Sequence, residues 1–484
     1  MVLLPWLASH GFSAARPRRG PARASPPSSS SIRACGLLRL TVTAGAALAA
    51  CNAALADCQP NPPASGATVT CTGPTPTSTP LIAPDATGVT VNVNPDAQLA
   101  GGGLLMQLGT GAQINNNGTI QAQGNASFGV YVASGSTLRN FGTLSSNGAN
   151  ALTVAALGTN ILLSNEAGGQ ISVTGNLAAG MLASDADTTT LINSGRIQLN
   201  AFQGGGLFSQ RSSNINLINA STGVIESTQN EAFGLAAISG QTHSILNQGS
   251  ITTQGEASHG IVLITMTDSK VVNVGSITTS GGSSEVLNRA YGIFVAENSS
   301  GNTILNGAGG TINSSGLGSS GMAVLDSTNN LLRNEGTLNV SGAGAQGMYV
   351  VSGSGNTLDN RGVLNITGAR GNGLRSDDGN TTFLNSGTVT VGGSDAFGVY
   401  MQGNGNILTN TGTIRATATN ADGVVSNTVA GSFIATIENS GTIISDKRFA
   451  IRGVDGQETV INSGTIQSGA GTAIDLRAGN DTLI

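Results

Sequence analysis

The chain is 484 residues long, hydrophobic at 39% of its positions, charged at 9% and aromatic at 3%, with a formal net charge of −5. That length exceeds one ordinary globular core, and so much apolar residue with so little charge excludes a disordered chain. Residues 1–56 hold six Arg and no acid, which leaves 14 basic against 25 acidic groups beyond them, a balance that argues against nucleic acid as a partner.

Met1 to Ser31 is rich in Pro, Ser, Arg and Ala and has no period. The apolar run Leu37 to Ala50 follows, preceded by Arg33, and the stretch closes at Ala54-Leu55-Ala56. This predicts an export signal cut between Ala56 and Asp57, too short to span a membrane. The alternative is lipoprotein processing at Leu48-Ala49-Ala50-Cys51. Cys58 and Cys71 are the only cysteines beyond the cut, and in an exported chain they suggest a disulfide, the alternative being two free thiols.

Residues 57–103 carry eight of the thirteen prolines, and Val89 to Val93 alternates as a first strand should. This predicts an N-terminal cap and one or two irregular coils, as solenoid ends require.

From about Leu104 to Ile484 one pentad recurs, Asn-x-Gly-x-(Ile/Leu/Val). Its copies begin at Asn116, Asn140, Asn193, Asn247, Asn273, Asn334, Asn360, Asn385, Asn410, Asn439 and Asn462. Three longer copies start at Asn165, Asn219 and Asn306. Thirteen steps from Asn116 to Asn462 average about 27 residues, a solenoid period. Between pentads comes Gly with alternating apolar residues, as in Gly129-Val130-Tyr131-Val132 and Gly260-Ile261-Val262-Leu263. A third short run precedes each Asn. Three short strands per repeat predict an all-β, right-handed parallel β-helix of about 14 coils. At about 4.8 Å per coil the rod would be on the order of 70 Å long. The pentad Asn and Gly are expected at corners with positive φ, with the Asn amides bonded coil to coil as a ladder and the following aliphatic pointing inward. The longest step, between Asn273 and Asn306, holds an insertion from Thr278 to Arg289, expected as an outward loop.

No residues stand out as catalytic, cofactor-binding or metal-binding. His243 and His259 have no Cys or His at metal spacing. Asp377-Asp378, with Asp185, Asp187 and Asp326 at similar turns, is the best carboxylate cluster, and ordinary turn chemistry is the preferred explanation for it. Gly479-Asn480-Asp481-Thr482-Leu483 is half a calcium-type nonapeptide, and one copy cannot stack ligands.

Taken together, the Asn-Ser-Gly-Thr-Ile coils at Asn193, Asn439 and Asn462, the start Asp57-Cys58 with Thr70-Cys71-Thr72-Gly73, and the stretch Ala473 to Leu483 resemble passenger domains of Gram-negative type V autotransporters. The resemblance implies export through the periplasm to the cell surface, outer membrane or medium. It also implies an outer-membrane β-barrel translocator, and no run of barrel-like strands occurs in residues 57–484.

The expected function is a non-enzymatic, surface-displayed rod acting as an adhesin. Its partner would be a host-cell or matrix receptor, or another bacterial surface, and no cofactor is expected. The alternative is a carbohydrate-active β-helix enzyme, a lyase or glycosidase. It requires basic residues in a groove beside Asp377-Asp378. A third possibility, two-partner secretion, calls for Asn-Pro-Asn, and the nearest run is Asn94-Pro95-Asp96.

Overall fold

A computed structural model describes residues 57–73, 80–427 and 434–484. The export signal up to Ala56 lies outside the described residues. Asp57 opens the first strand, Asp57–Gln59, which runs antiparallel to Thr68–Thr72 at one edge of the solenoid. Cys58 and Cys71 face each other across this pair and are joined by a disulfide.

Everything after that pair is parallel. Three sheets of 18, 15 and 16 strands wrap one axis, and each strand pairs with its counterpart one repeat away. Leu138, for instance, lies between Ile114 and Leu163. The protein is a parallel β-solenoid of about sixteen turns, and among the described residues the one helical element is a single 3-10 turn, Val286–Asn288. Coil stacking starts at Thr68–Thr72, whose partner is Thr90–Val93, earlier than the pentads begin. Those first coils place Cys71 and Val93 where later coils place Asn.

The first and second sheets alternate as a one-faced sheet should. Thr137–Asn140 and Thr143–Ser146 bury Leu138, Asn140, Leu144 and Ser146, leave Arg139 exposed and leave Thr137, Thr143 and Ser145 partly open. The third sheet departs from the expected alternation. Strands such as Gly205–Gln210, Tyr291–Ala296 and Ser320–Leu325 are buried at every position. Parallel strands buried on both faces carry continuous apolar runs, and Ile261-Val262-Leu263-Ile264 is one.

The pentad Asn side chains form a continuous ladder, buried from Asn116 through Asn439 and half-buried at Asn462. Thirteen amide-to-amide bonds of 2.6–2.9 Å link Asn116 through Asn462. Asn116 Oδ1 has no donor, since the coil before it presents Val93. The corner argument for these residues needs correcting. The ladder Asn residues close strands, and their φ is not positive; positive φ falls at other turns, including Asn150, Leu177, Gln203 and Glu231. The pentad Gly is needed for a different reason. A Cβ on Gly249 would sit 2.1 Å from the Gly223 carbonyl oxygen, and one on Gly362 would sit 2.1 Å from that of Gly336. Coils stack too closely there for any side chain.

Candidate functional site on the third sheet

The outward columns of the third sheet change character along the axis. One column reads Leu182, Phe208, Ala236, Val262, Phe294 and Ala323, all buried. It then continues as Tyr349, Arg375, Tyr400, Val425 and Arg452. The adjacent outward column carries Gln346, Asn372, Phe397 and Asp422 over the same coils.

Coil spacing of about 4.8 Å sets the geometry. A Tyr, an Arg and a Tyr in one column place the guanidinium between two rings. The Arg375 Cζ lies 5.2 Å from the Tyr349 ring centroid and 5.0 Å from that of Tyr400. Arg375 also forks onto Asp377, with Nε donating to Oδ1 at 2.6 Å and Nη2 to Oδ2 at 3.0 Å. The Tyr349 hydroxyl donates to Asp377 Oδ2, and the Asn427 amide donates to the Tyr400 hydroxyl. Tyr349 is buried, whereas the side chains of Arg375 and Asp377 keep 27% and 23% exposure.

Burial, reinforced by the Asp377 charge, pushes the Tyr349 phenol far above its ordinary range, so it stays protonated. Burial also raises Tyr400. For Arg375 burial opposes the charge, but Asp377 and the two tyrosines outweigh it, and the guanidinium is held charged. One coil further on, fully buried Asp422 accepts from Arg452 Nε at 2.7 Å and pairs with Arg448 at 3.5 Å. The Arg452 guanidinium lies over the Phe397 ring, which stacks beside Tyr400 at 5.7 Å and 16°.

Of the five turn acids, only Asp377 joins this cluster. Asp378 accepts from the backbone N–H groups of Gly353 and Gly379. Asp185 pairs with Arg211, whose hydrogen bond holds its carboxyl below the usual range. Asp187 accepts from Asn214 and Asp326 from Ser352. His243 and His259 take no part in the cluster. His243 shares hydrogen bonds with Ser209 and the Gln241 carbonyl, and His259 stacks between Phe233 and Tyr291. The Thr278–Arg289 insertion includes the 3-10 turn, which Tyr291 ties down by donating to the Val286 carbonyl. Among the described residues no three His, Cys, Asp or Glu side chains converge as a metal site would need.

Tyr349, Arg375, Tyr400, Phe397, Asn427 and Arg452 lie outside the pattern of carboxylates in the sequence. The signal was present in Gly347-Met348-Tyr349, Gly373-Leu374-Arg375 and Gly398-Val399-Tyr400. Aligning the glycines of successive repeats puts the three side chains in one column.

The family model of the BigA third pectate lyase-like domain matches residues 149–300 and 216–432, which together span more than half of the chain. The chain belongs to this family. No curated protein matches the chain. Among solved structures, the A-module of the Azotobacter vinelandii mannuronan C-5 epimerase AlgE6 is similar at 12% identity. The match covers 78% of this chain and 89% of that one, with a TM-score of 0.35. The A-module of AlgE4 from the same organism gives 12%, 78%, 91% and 0.34. Neither likeness bears on the chemistry of the site.

Membership in the BigA family corrects one expectation. A rod without enzymatic chemistry was expected, and a pectate lyase-like domain points instead to a carbohydrate-active fold. The carbohydrate reading called for basic residues in a groove beside Asp377-Asp378; Arg375 pairs with Asp377 from two residues away.

Proposed function

We propose that this chain is a carbohydrate-active β-helix domain that binds and processes a polysaccharide across the Tyr349–Arg375–Tyr400 column. One observation carries the reading. A partly exposed Arg–Asp pair, its guanidinium between two tyrosine rings, stands where the outward columns turn from apolar to polar. Asp377 accepts a proton, and Arg375 stabilises negative charge developing on the sugar. Tyr349, beneath them, keeps Asp377 oriented. The ring of Tyr400 offers an apolar face to the sugar C–H groups. The family's pectate lyase-like description makes polygalacturonate the first substrate to try. Export by residues 1–56, in the manner of an autotransporter passenger, would bring the site to polysaccharide on a host cell, a matrix or another bacterium.

The test is turnover of polygalacturonate, alginate, a neutral glucan and a mannan, followed as new chain ends or altered sugar composition. D377N should reduce turnover of the accepted polymer by about 100-fold or more, while D326N, at the equivalent kind of turn outside the cluster, should leave it unchanged. Equal activity in both variants, or none in the wild type on any polymer, would remove the assignment.

A further inference from the structure

The outward pair Phe397 and Tyr400 has a counterpart ten coils away. The tetrapeptide Phe397-Gly398-Val399-Tyr400 is repeated as Phe128-Gly129-Val130-Tyr131. Register places the two copies in the same columns of the third sheet. Phe128 is aligned with Leu152, Ala179, Gly205, Phe233 and His259 in turn. The same column continues through Gln346 and Asn372 to Phe397. Tyr131 is aligned with Ala155 and Leu182, and its column reaches Tyr349, Arg375 and Tyr400.

Exposure separates these two pairs from the coils between them. Phe128 and Tyr131 are partly exposed, like Phe397 and Tyr400. Tyr291 and Phe294 also share a coil, but both are buried. Among the described residues, no other coil presents two partly exposed rings in these columns. Gln107 precedes Tyr131 in its column, and Leu152 and Ala155 follow the pair. Rings and an amide are present there, with no carboxylate or guanidinium in the adjoining coils of either column. Such a surface can hold sugar rings, and the one ionisable group in the pair is the Tyr131 phenol, which burial raises further and keeps protonated.

We propose that Phe128 and Tyr131 form a second, non-catalytic holding station for the polysaccharide that reacts near Asp377. This rests on the carbohydrate reading above. Ten coils at about 4.8 Å separate the stations by roughly 48 Å, so a short oligosaccharide reaches one and a long polymer reaches both. Two linked contacts raise affinity through effective concentration, and the second station therefore matters for long chains alone.

The experiment compares wild type, F128L/Y131L and Y400L on immobilised polygalacturonate, alginate, neutral glucan and mannan, and on trimers of the same sugars. Leucine keeps apolar volume and removes the rings. F128L/Y131L should weaken retention on the long polymer by about 10-fold or more and leave turnover of the trimer unchanged. Y400L should weaken both. Undiminished retention of F128L/Y131L on a polymer that wild type binds would overturn the second station and leave the main site standing. Equal losses on trimer and polymer would overturn it as well, since a remote station cannot act on a trimer. Failure of wild type to bind any of the four would remove the carbohydrate reading and this station with it.

Discussion

At the scale of single residues, buried amides and missing side chains hold the coils together. Asn247 donates to Asn273 at 2.7 Å and to the Ser276 carbonyl at 3.3 Å, and it accepts from Asn219 at 2.8 Å. N247A strands partners on both sides, and leaving a buried polar group unsatisfied costs about 1–3 kcal/mol. A loss of about 3 kcal/mol is expected in urea unfolding. G249A should be worse, because its Cβ would meet two backbone carbonyl oxygens, those of Gly223 at 2.1 Å and Ala220 at 2.4 Å, as well as the Asn219 ladder amide at 2.9 Å. The expected outcome is failure to accumulate as folded protein, read by circular dichroism of the soluble fraction. His259 sets an acid limit. Burial pulls its pKa from 6.5 to about 3, so the fold accepts only the neutral ring. Above about pH 6.5 this costs nothing. As pH falls below that value, the unfolded chain binds a proton that the folded one refuses, and stability drops by about 1.4 kcal/mol per pH unit until about pH 3. H259F keeps the stack and cannot titrate. Its urea midpoint should change less between pH 7 and pH 5 than that of wild type. The ladder was legible in the sequence because one residue type marks it in every repeat. The role of the pentad Gly was not, since a carbonyl one coil away has no trace in local sequence.

At the scale of strands, the third sheet differs from the other two and carries the candidate site. Its apolar runs, read as alternation, were a sign of burial on both faces. The change from apolar to polar outward residues at Tyr349 has little local signature, because each coil contributes only one or two of the residues concerned. Asp377 and Asp378 are neighbours in sequence and look like a pair, yet one faces Arg375 and the other is bound to turn backbone. Asp422 ties the strand Asp422–Asn427 to Ile451–Arg452 through Arg452. D422A leaves Arg452, whose side chain keeps 17% exposure, without its partner, at a cost of about 1–3 kcal/mol. Equilibrium urea unfolding checks this, and a loss under about 1 kcal/mol would show that Phe397 and solvent satisfy the guanidinium.

At the scale of the whole coiled unit, each turn touches only its neighbours, and stability grows as a sum of coil and interface contributions. That one-dimensional logic made the fold readable from a period of about 27 residues without any site being identified. It also explains why function was harder to read. The ladder recurs in every coil, whereas the candidate site occurs once and is assembled from coils about 25 residues apart. The carbohydrate reading stands on that single assembly together with membership in a pectate lyase-like family. The most direct measurement is turnover of polygalacturonate and the other three polymers by wild type, R375Q and D377N, with the fold of each checked by circular dichroism. The account predicts processing of at least one polymer by wild type and its loss in both folded variants. Activity retained by folded R375Q and D377N, or no action on any polymer by folded wild type, would contradict it.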